Sequence, residues 1–225
     1  MTDAILEADT IGGAWLAVAR RILEDGVPST YENRPIRDLE RVTLRVTRPA
    51  SEDAVVRDFG DPERLAWMHA NFTDHRRVAE LGDARSYASR LYDYGGTGRD
   101  QVRWLIERLR ADPTSRSATI TTLEPLLDTT YIPCVSLLDF WISAGRLSAM
   151  VYAHSIDFGT KGYGNLVELA RLMERVAEGV ARPVGPLHFI VKSAHIYEPE
   201  LHGMREVTRE RKKRSGGDDH ACSRA

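Results

Sequence analysis

The chain has 225 residues, a formal net charge of −2 and two cysteines. That length suits one domain with its own core, and the near-neutral balance excludes a general pull toward nucleic acid or membrane surfaces. Two cysteines exclude a disulfide framework and point to a reducing compartment, the cytoplasm. No apolar run approaches the roughly 20 residues of a membrane span, and the start, Met1-Thr2-Asp3-Ala4, lacks the basic-then-apolar form of a signal peptide.

Thr10 caps a first predicted helix, in which Trp15, Val18, Ala19, Ile22 and Leu23 share a face and Gly26 supplies the stop. A polar stretch with Asn33-Arg34-Pro35 follows, then a half-exposed strand over 41–48 with Val42, Leu44 and Val46 on one side. Asp61-Pro62-Glu63 reads as an N-cap with proline at the first helical position, opening a helix that carries Leu65, Met68 and Phe72. The stretch 75–98 has no clear period and ends in a turn or mobile loop, Gly95-Gly96-Thr97-Gly98. Val102, Leu105, Ile106 and Leu109 define an amphipathic helix over 100–110. Strands are predicted over 117–123, 134–143 and 146–155, the last two joined by Ala144-Gly145 as a hairpin. A helix over 165–178 and a strand over 187–194 complete the pattern, which is that of an α+β sheet packed with helices. Residues 1–203 are expected to form the domain, and 204–225 a charged, disordered tail. The basic run Arg209–Arg214 sits beside Asp218-Asp219 and reads as a solvated tail rather than a nucleic-acid contact.

Cys134 carries the chemistry of interest. A single cysteine is ordinarily a small core hydrophobe, and a reactive one needs positive charge nearby. It stands in Tyr131-Ile132-Pro133-Cys134 ahead of a strand; His154-Ser155-Ile156-Asp157 follows 20 to 23 residues on, Asn165 comes eight residues after Asp157, and His195-Ile196-Tyr197 closes the series. Taken singly, these have plainer roles: Asn165 as a helix cap, His195 as a satisfied strand histidine, Asp157 as a turn residue before Gly159.

Jointly, their order and spacing resemble the thymidylate synthases and the related pyrimidine nucleotide hydroxymethylases. The resemblance covers most of residues 100 to 200 and implies a mixed sheet packed with helices, with a sheet face used for dimerisation. It implies that Cys134 adds to C6 of a pyrimidine so that C5 attacks a one-carbon electrophile, with ring charge met by placed donors and the C5 proton removed by a base. Ser155 would bind phosphate, Asp157 the ring and cofactor network, Asn165 the N3–O4 edge, and His195 and Tyr197 the sugar 3′-hydroxyl. Arg116 matches the first of an arginine pair that reaches across the dimer to the phosphate; Ser117 stands at the second. Arg34 lies near the place of a phosphate-loop arginine and by itself reads as a solvated charge.

Three departures shape the expectation. His154 stands where the family has a phosphate arginine, and a neutral imidazole does not replace a guanidinium fork; Lys161 or an arginine from a partner subunit is the candidate substitute. The family's proton-transfer glutamate has no clear counterpart: Glu63 is the candidate, though it reads better as an exposed first-turn glutamate favoured by the helix dipole. The segments that close over folate are not found after Tyr197, which sets the implied cofactor, 5,10-methylenetetrahydrofolate, in question. The expected function is therefore C5 one-carbon transfer on a pyrimidine nucleotide or nucleoside in specialised nucleoside metabolism, hydroxymethyl ahead of methyl, with Asn165 leaning toward uracil. The alternatives are a catalytically inactive nucleotide-binding protein and a folate-independent C5 reaction.

Overall fold

The computed structural model describes residues 4–129 and 131–218. An eight-stranded mixed sheet is built from β1 (Ala4–Ala8), β2 (Val27–Tyr31), β3 (Arg34–Val46), β6 (Thr119–Thr121), β7 (Val135–Ser143), β8 (Arg146–Ala153), β9 (Ile156–Asp157) and β10 (Val184–Tyr197). The order along it is β1-β3-β10-β8-β7-β6, with β2 on β3 and β9 on β10. A separate two-stranded ribbon, β4 (Arg77–Val78) with β5 (Ala84–Arg85), lies in the stretch that had no clear period.

The helices form for local reasons. In α1 (Ile11–Asp25) Thr10 accepts from the Gly13 N–H, in α2 (Ala54–Phe59) Asp53 caps, and in α3 (Pro62–Thr73) Asp61 caps with proline just inside. Ser86 caps α4 (Tyr87–Tyr92) and Asp100 caps α5 (Gln101–Ala111). Helix α6 (Gly162–Gly179) lies against one face of the sheet with α1, burying Leu166, Leu169, Met173 and Val176 against Phe189, Val151 and Leu44 in one continuous core. The stretch from 204 expected as tail continues α7 (Leu201–Asp218), whose first turns bury Leu201, Met204 and Thr208 against α1. The tail reading missed this because three anchors in a charged helix carry little periodic signal. Residues 219–225, Cys222 included, lie outside the described residues.

The opposite sheet face is open. Strand register places Leu137 beside Tyr152 and Tyr152 beside Ile190, with Met150 on the next row, and all four are exposed. No described helix is long and apolar enough to cross a membrane.

β3 and β10 change phase together. Val42, Leu44 and Val46 face the core, then Leu39 and Ile36; beside them run Leu187, Phe189 and Val191, then Ala194 and Ile196. Arg41 sits at the break with a φ of 57°, a left-handed conformation that costs a non-glycine residue about 1 kcal/mol or more. The break presents His195 and Tyr197 on the face where the β2–β3 hairpin folds over. That hairpin turns through Glu32 (φ 49°) and Asn33 (φ 58°), both left-handed as a two-residue turn of the primed type requires.

Candidate active site

Cys134 immediately precedes β7, half-buried, and its carbonyl accepts from the His154 N–H at 3.0 Å. The next peptide N–H, of Val135, donates to the Tyr87 hydroxyl at 3.0 Å. Burial pushes the Cys134 thiol above its ordinary value; Lys161 and the hydroxyl of Tyr131, which donates to the sulfur, pull it down, while Asp157 and Glu32 push it up. Burial likewise raises Tyr131 and Tyr87, and it pushes Tyr31 up to about 12, so these phenols stay neutral donors at physiological pH.

Most of the residues singled out from sequence converge here. β9 pairs with β10 so that Asp157 lies beside His195. Ser155 Oγ is 3.3 Å from His195 Nδ1. The Tyr31 ring lies 5.4 Å from His195, Tyr197 meets His195 edge-on at 5.2 Å, and Arg34 stacks over Tyr197 at 3.8 Å. Arg34 is thus a cation–π partner of a site residue rather than only a solvated charge. A cleft of about 490 Å³ opens beside the group, lined by Tyr31, Asp38, His154, Ser155, Lys192 and Ser193. Burial first and then Lys192 hold His154 below the ordinary imidazole value, so it is neutral at pH 7 and offers no permanent positive charge.

Among the buried side-chain atoms left without hydrogen-bond partners are two at these positions: Asn165 Oδ1, in a residue 4% exposed, and His195 Nε2, in one 2% exposed. A polar atom buried this way costs about 1–3 kcal/mol unless something binds it. Asn165 is not the cap of α6. The helix begins earlier, at Gly162, where a Cβ would stand 2.9 Å from the Asp157 carbonyl. Asn165 therefore lies inside the first turn, with Nδ2 donating to the Lys161 carbonyl at 3.4 Å and Oδ1 left as an acceptor.

Other expectations fare differently. Asp157 spends its carboxylate on its own turn: Oδ1 accepts from Gly159 N at 2.9 Å and Thr160 N at 3.3 Å, and Oδ2 accepts from the Thr160 hydroxyl. Glu63 stands exposed in the first turn of α3, and the carboxylates acting on Cys134 are those of Asp157 and Glu32. Arg116 is exposed ahead of β6. Because β6 runs antiparallel to β7, with Thr119 opposite Asp139 and Thr121 opposite Leu137, Arg116 lies at the other end of that pair from Cys134. Tyr87 and Glu32 had no motif to mark them, and only folding brings them to the cysteine; Tyr131 stands three residues before it in the Tyr131-Ile132-Pro133-Cys134 run.

Residues 51–216 match the family model described as thymidylate synthase. A Methanosarcina barkeri protein provisionally named a thymidylate synthase is 30% identical over 202 residues, covering 86% of this chain and 89% of its own. The chain belongs to the thymidylate synthase family. A similarly named Methanococcoides burtonii protein is 28% identical over 211 residues, covering 90% of this chain and 94% of its own. The thymidylate synthase of Ascaris suum is 30% identical over 116 residues, 51% of this chain and 40% of its own. The mixed sheet packed by helices is the fold expected of the family.

The family generally uses methylenetetrahydrofolate, which needs a flat apolar seat beside the nucleotide. Trp67, partly buried on α3 with the Lys161 ammonium 5.4 Å from its ring, and the exposed Ile132 next to Cys134 provide such surfaces. These are surfaces that a pterin carrier could use, although among the described residues no segment after Tyr197 folds over that side; α7 packs on α1 instead.

Proposed function

We propose that this thymidylate synthase-like chain is a transferase that activates C5 of a pyrimidine nucleotide through Cys134 for hydroxymethyl or methyl transfer. The observation that carries the reading is the pair of unpaired buried atoms, Asn165 Oδ1 and His195 Nε2, at family positions around a half-buried cysteine. An acceptor at Asn165 Oδ1 suits the N3–H of uracil. His195, with Ser155 on its other nitrogen, suits a sugar hydroxyl. Sulfur adds to C6, the ring carbonyl gathers negative charge, and the Tyr87 and Tyr131 hydroxyls keep this end of the site protonated and water-poor. When bound, the folate carrier supplies the one-carbon unit. The exposed Leu137–Tyr152–Ile190 face is the proposed dimerisation surface, an apolar patch of the kind that marks interfaces. Arg116, distant from its own Cys134, would then serve the second subunit.

A non-catalytic nucleotide-binding role is favoured by one observation: burial keeps the Cys134 thiol raised while the candidate base Glu63 stands apart. Proton NMR separates the two. Protein incubated with dUMP, UMP, dCMP or CMP in heavy water should exchange the C5 proton of one of them, and Cys134→Ala should stop it. Binding without exchange, unchanged by that substitution, supports the binder.

A further inference from the structure

Aspartate is depleted in strands, yet Asp38 sits inside β3 with a strand on either side, opposite Val27 of β2 and His195 of β10. No structural ion pair accounts for it. Ser193 Oγ donates to Asp38 Oδ1 at 2.7 Å, and the described residues give the carboxylate no cation and no second hydrogen bond. Departures from local preference concentrate where function requires them.

Residues directly opposite in an antiparallel pair put their side chains on one face, with Cβ atoms about 5 Å apart. Leu39 and Ala194 take the core face of this pair, so Asp38 and His195 share the other. Asp38 lines the cleft of about 490 Å³. Next to it His195 buries an Nε2 that lacks any hydrogen bond. Ser193 lies diagonally across from Asp38 on β10, and its bond fixes how the carboxylate points, leaving Oδ2 to the cleft.

An ionised carboxylate accepts hydrogen bonds and donates none. Whatever docks on Oδ2 must therefore be a donor, which excludes an ionised phosphate oxygen. Sugar hydroxyls are such donors, and dinucleotide-binding folds place an acidic side chain on the ribose 2′-hydroxyl for this reason. One hydroxyl satisfies His195 alone; two adjacent hydroxyls reach both groups.

We propose that Asp38 binds the 2′-hydroxyl of the substrate while His195 holds the 3′-hydroxyl, so that the site selects ribonucleotides over deoxyribonucleotides. This rests on the reading of the site as one for a pyrimidine nucleotide. Asp38 is a specificity-determining residue here and takes no part in bond making.

The test is calorimetry on the full chain with UMP, dUMP, CMP and dCMP, which reads the ratio of ribo to deoxyribo affinity for each base. The parent should favour the ribonucleotide of its preferred base about tenfold or more. Asp38→Ala should bring the ratio to about one by weakening the ribonucleotide alone. Asp38→Asn keeps an acceptor for Ser193 and turns the other oxygen into a donor, so it should cut the ratio severalfold. Asp38 is half-buried with one side-chain bond, so both variants should melt near the parent. Equal affinity for the two sugars in the parent, a preference for deoxyribose, or a ribose preference that survives in Asp38→Ala overturns the assignment. Following C5 proton exchange on the same proteins separates it from the transferase reading. A ribose preference lost in Asp38→Ala, with no exchange on any nucleotide, upholds the sugar selection and removes the transferase. Exchange on dUMP or dCMP with no ribose preference does the reverse. Failure of all four nucleotides to bind overturns both.

Discussion

Two buried polar regions adjoin Cys134, and they are finished differently. On one side, Arg90 is 1% exposed and every guanidinium nitrogen is engaged: Nη1 and Nη2 reach Asp128 at 2.7 Å each, Nη1 also reaches the Thr122 carbonyl at 2.8 Å, and Nε the Arg85 carbonyl at 3.0 Å. On the other side, Asn165 and His195 are as deeply buried but each keeps an atom unbonded. A cluster that satisfies itself fixes structure: it ties α4 to the loop that delivers Tyr131 and Cys134. A cluster with spare valence is costly by itself and is explained by a ligand that completes it. Burial alone does not separate the two roles: beside Arg90 the atoms without a hydrogen bond, Arg85 Nε and Glu124 Oε2, still face each other as an ion pair at 3.3 Å, whereas Asn165 Oδ1 and His195 Nε2 have no such partner among the described residues.

Substitutions can break this contrast. The largest expected effect is at Cys134, where Cys134→Ala should eliminate C5 exchange by NMR while leaving nucleotide affinity measurable by calorimetry. Next is the self-satisfied cluster. Asp128→Ala leaves the buried Arg90 guanidinium with Glu124 Oε2, at 3.7 Å, as its remaining carboxylate and should cost about 3 kcal/mol in a urea unfolding titration. A loss below about 1 kcal/mol would mean that the Arg90 network is not structural. Asn165→Ala should act the opposite way: unfolding free energy within about 1 kcal/mol of the parent, because one weak bond and one orphan leave together, but nucleotide affinity about tenfold lower. Equal affinity would remove Asn165 from the site.

The smallest effect is in pH. Burial, outweighing Asp157, Asp38 and Glu32, holds His195 below its unfolded value. The unfolded chain therefore binds the proton first, so neutral His195 stabilises the fold fully above the unfolded value of about 6.5 and less as pH falls toward its lowered folded value. His195→Gln should flatten that part of the stability–pH curve in thermal melts from about pH 7.5 to about pH 5. An unchanged slope would place the acid sensitivity elsewhere, with His154 and His188 next, both lowered by burial first.

Much of this was legible along the chain. Caps at Thr10 and Asp61 and the 3.6-residue periods of α1, α5 and α6 depend on neighbours in sequence, so local pattern suffices for them. The spacing of Cys134, Ser155, Asp157, Asn165, His195 and Tyr197 was likewise a property of the sequence, and it pointed to the family. What the sequence could not express were features set by packing between distant segments. The phase change at Arg41 turns His195 and Tyr197 under the hairpin, and no residue type announces a left-handed arginine. Tyr87 reaches the cysteine from a short capped helix with no periodic signal. Arg116 matched one residue of the family's pair and Glu63 only the approximate region, and the fold leaves Glu63 exposed and Arg116 at the far end of a strand. Local chemistry is determined by adjacent side chains; which charges share a cavity is determined by topology, through contacts whose free energy exists only once the whole sheet has closed.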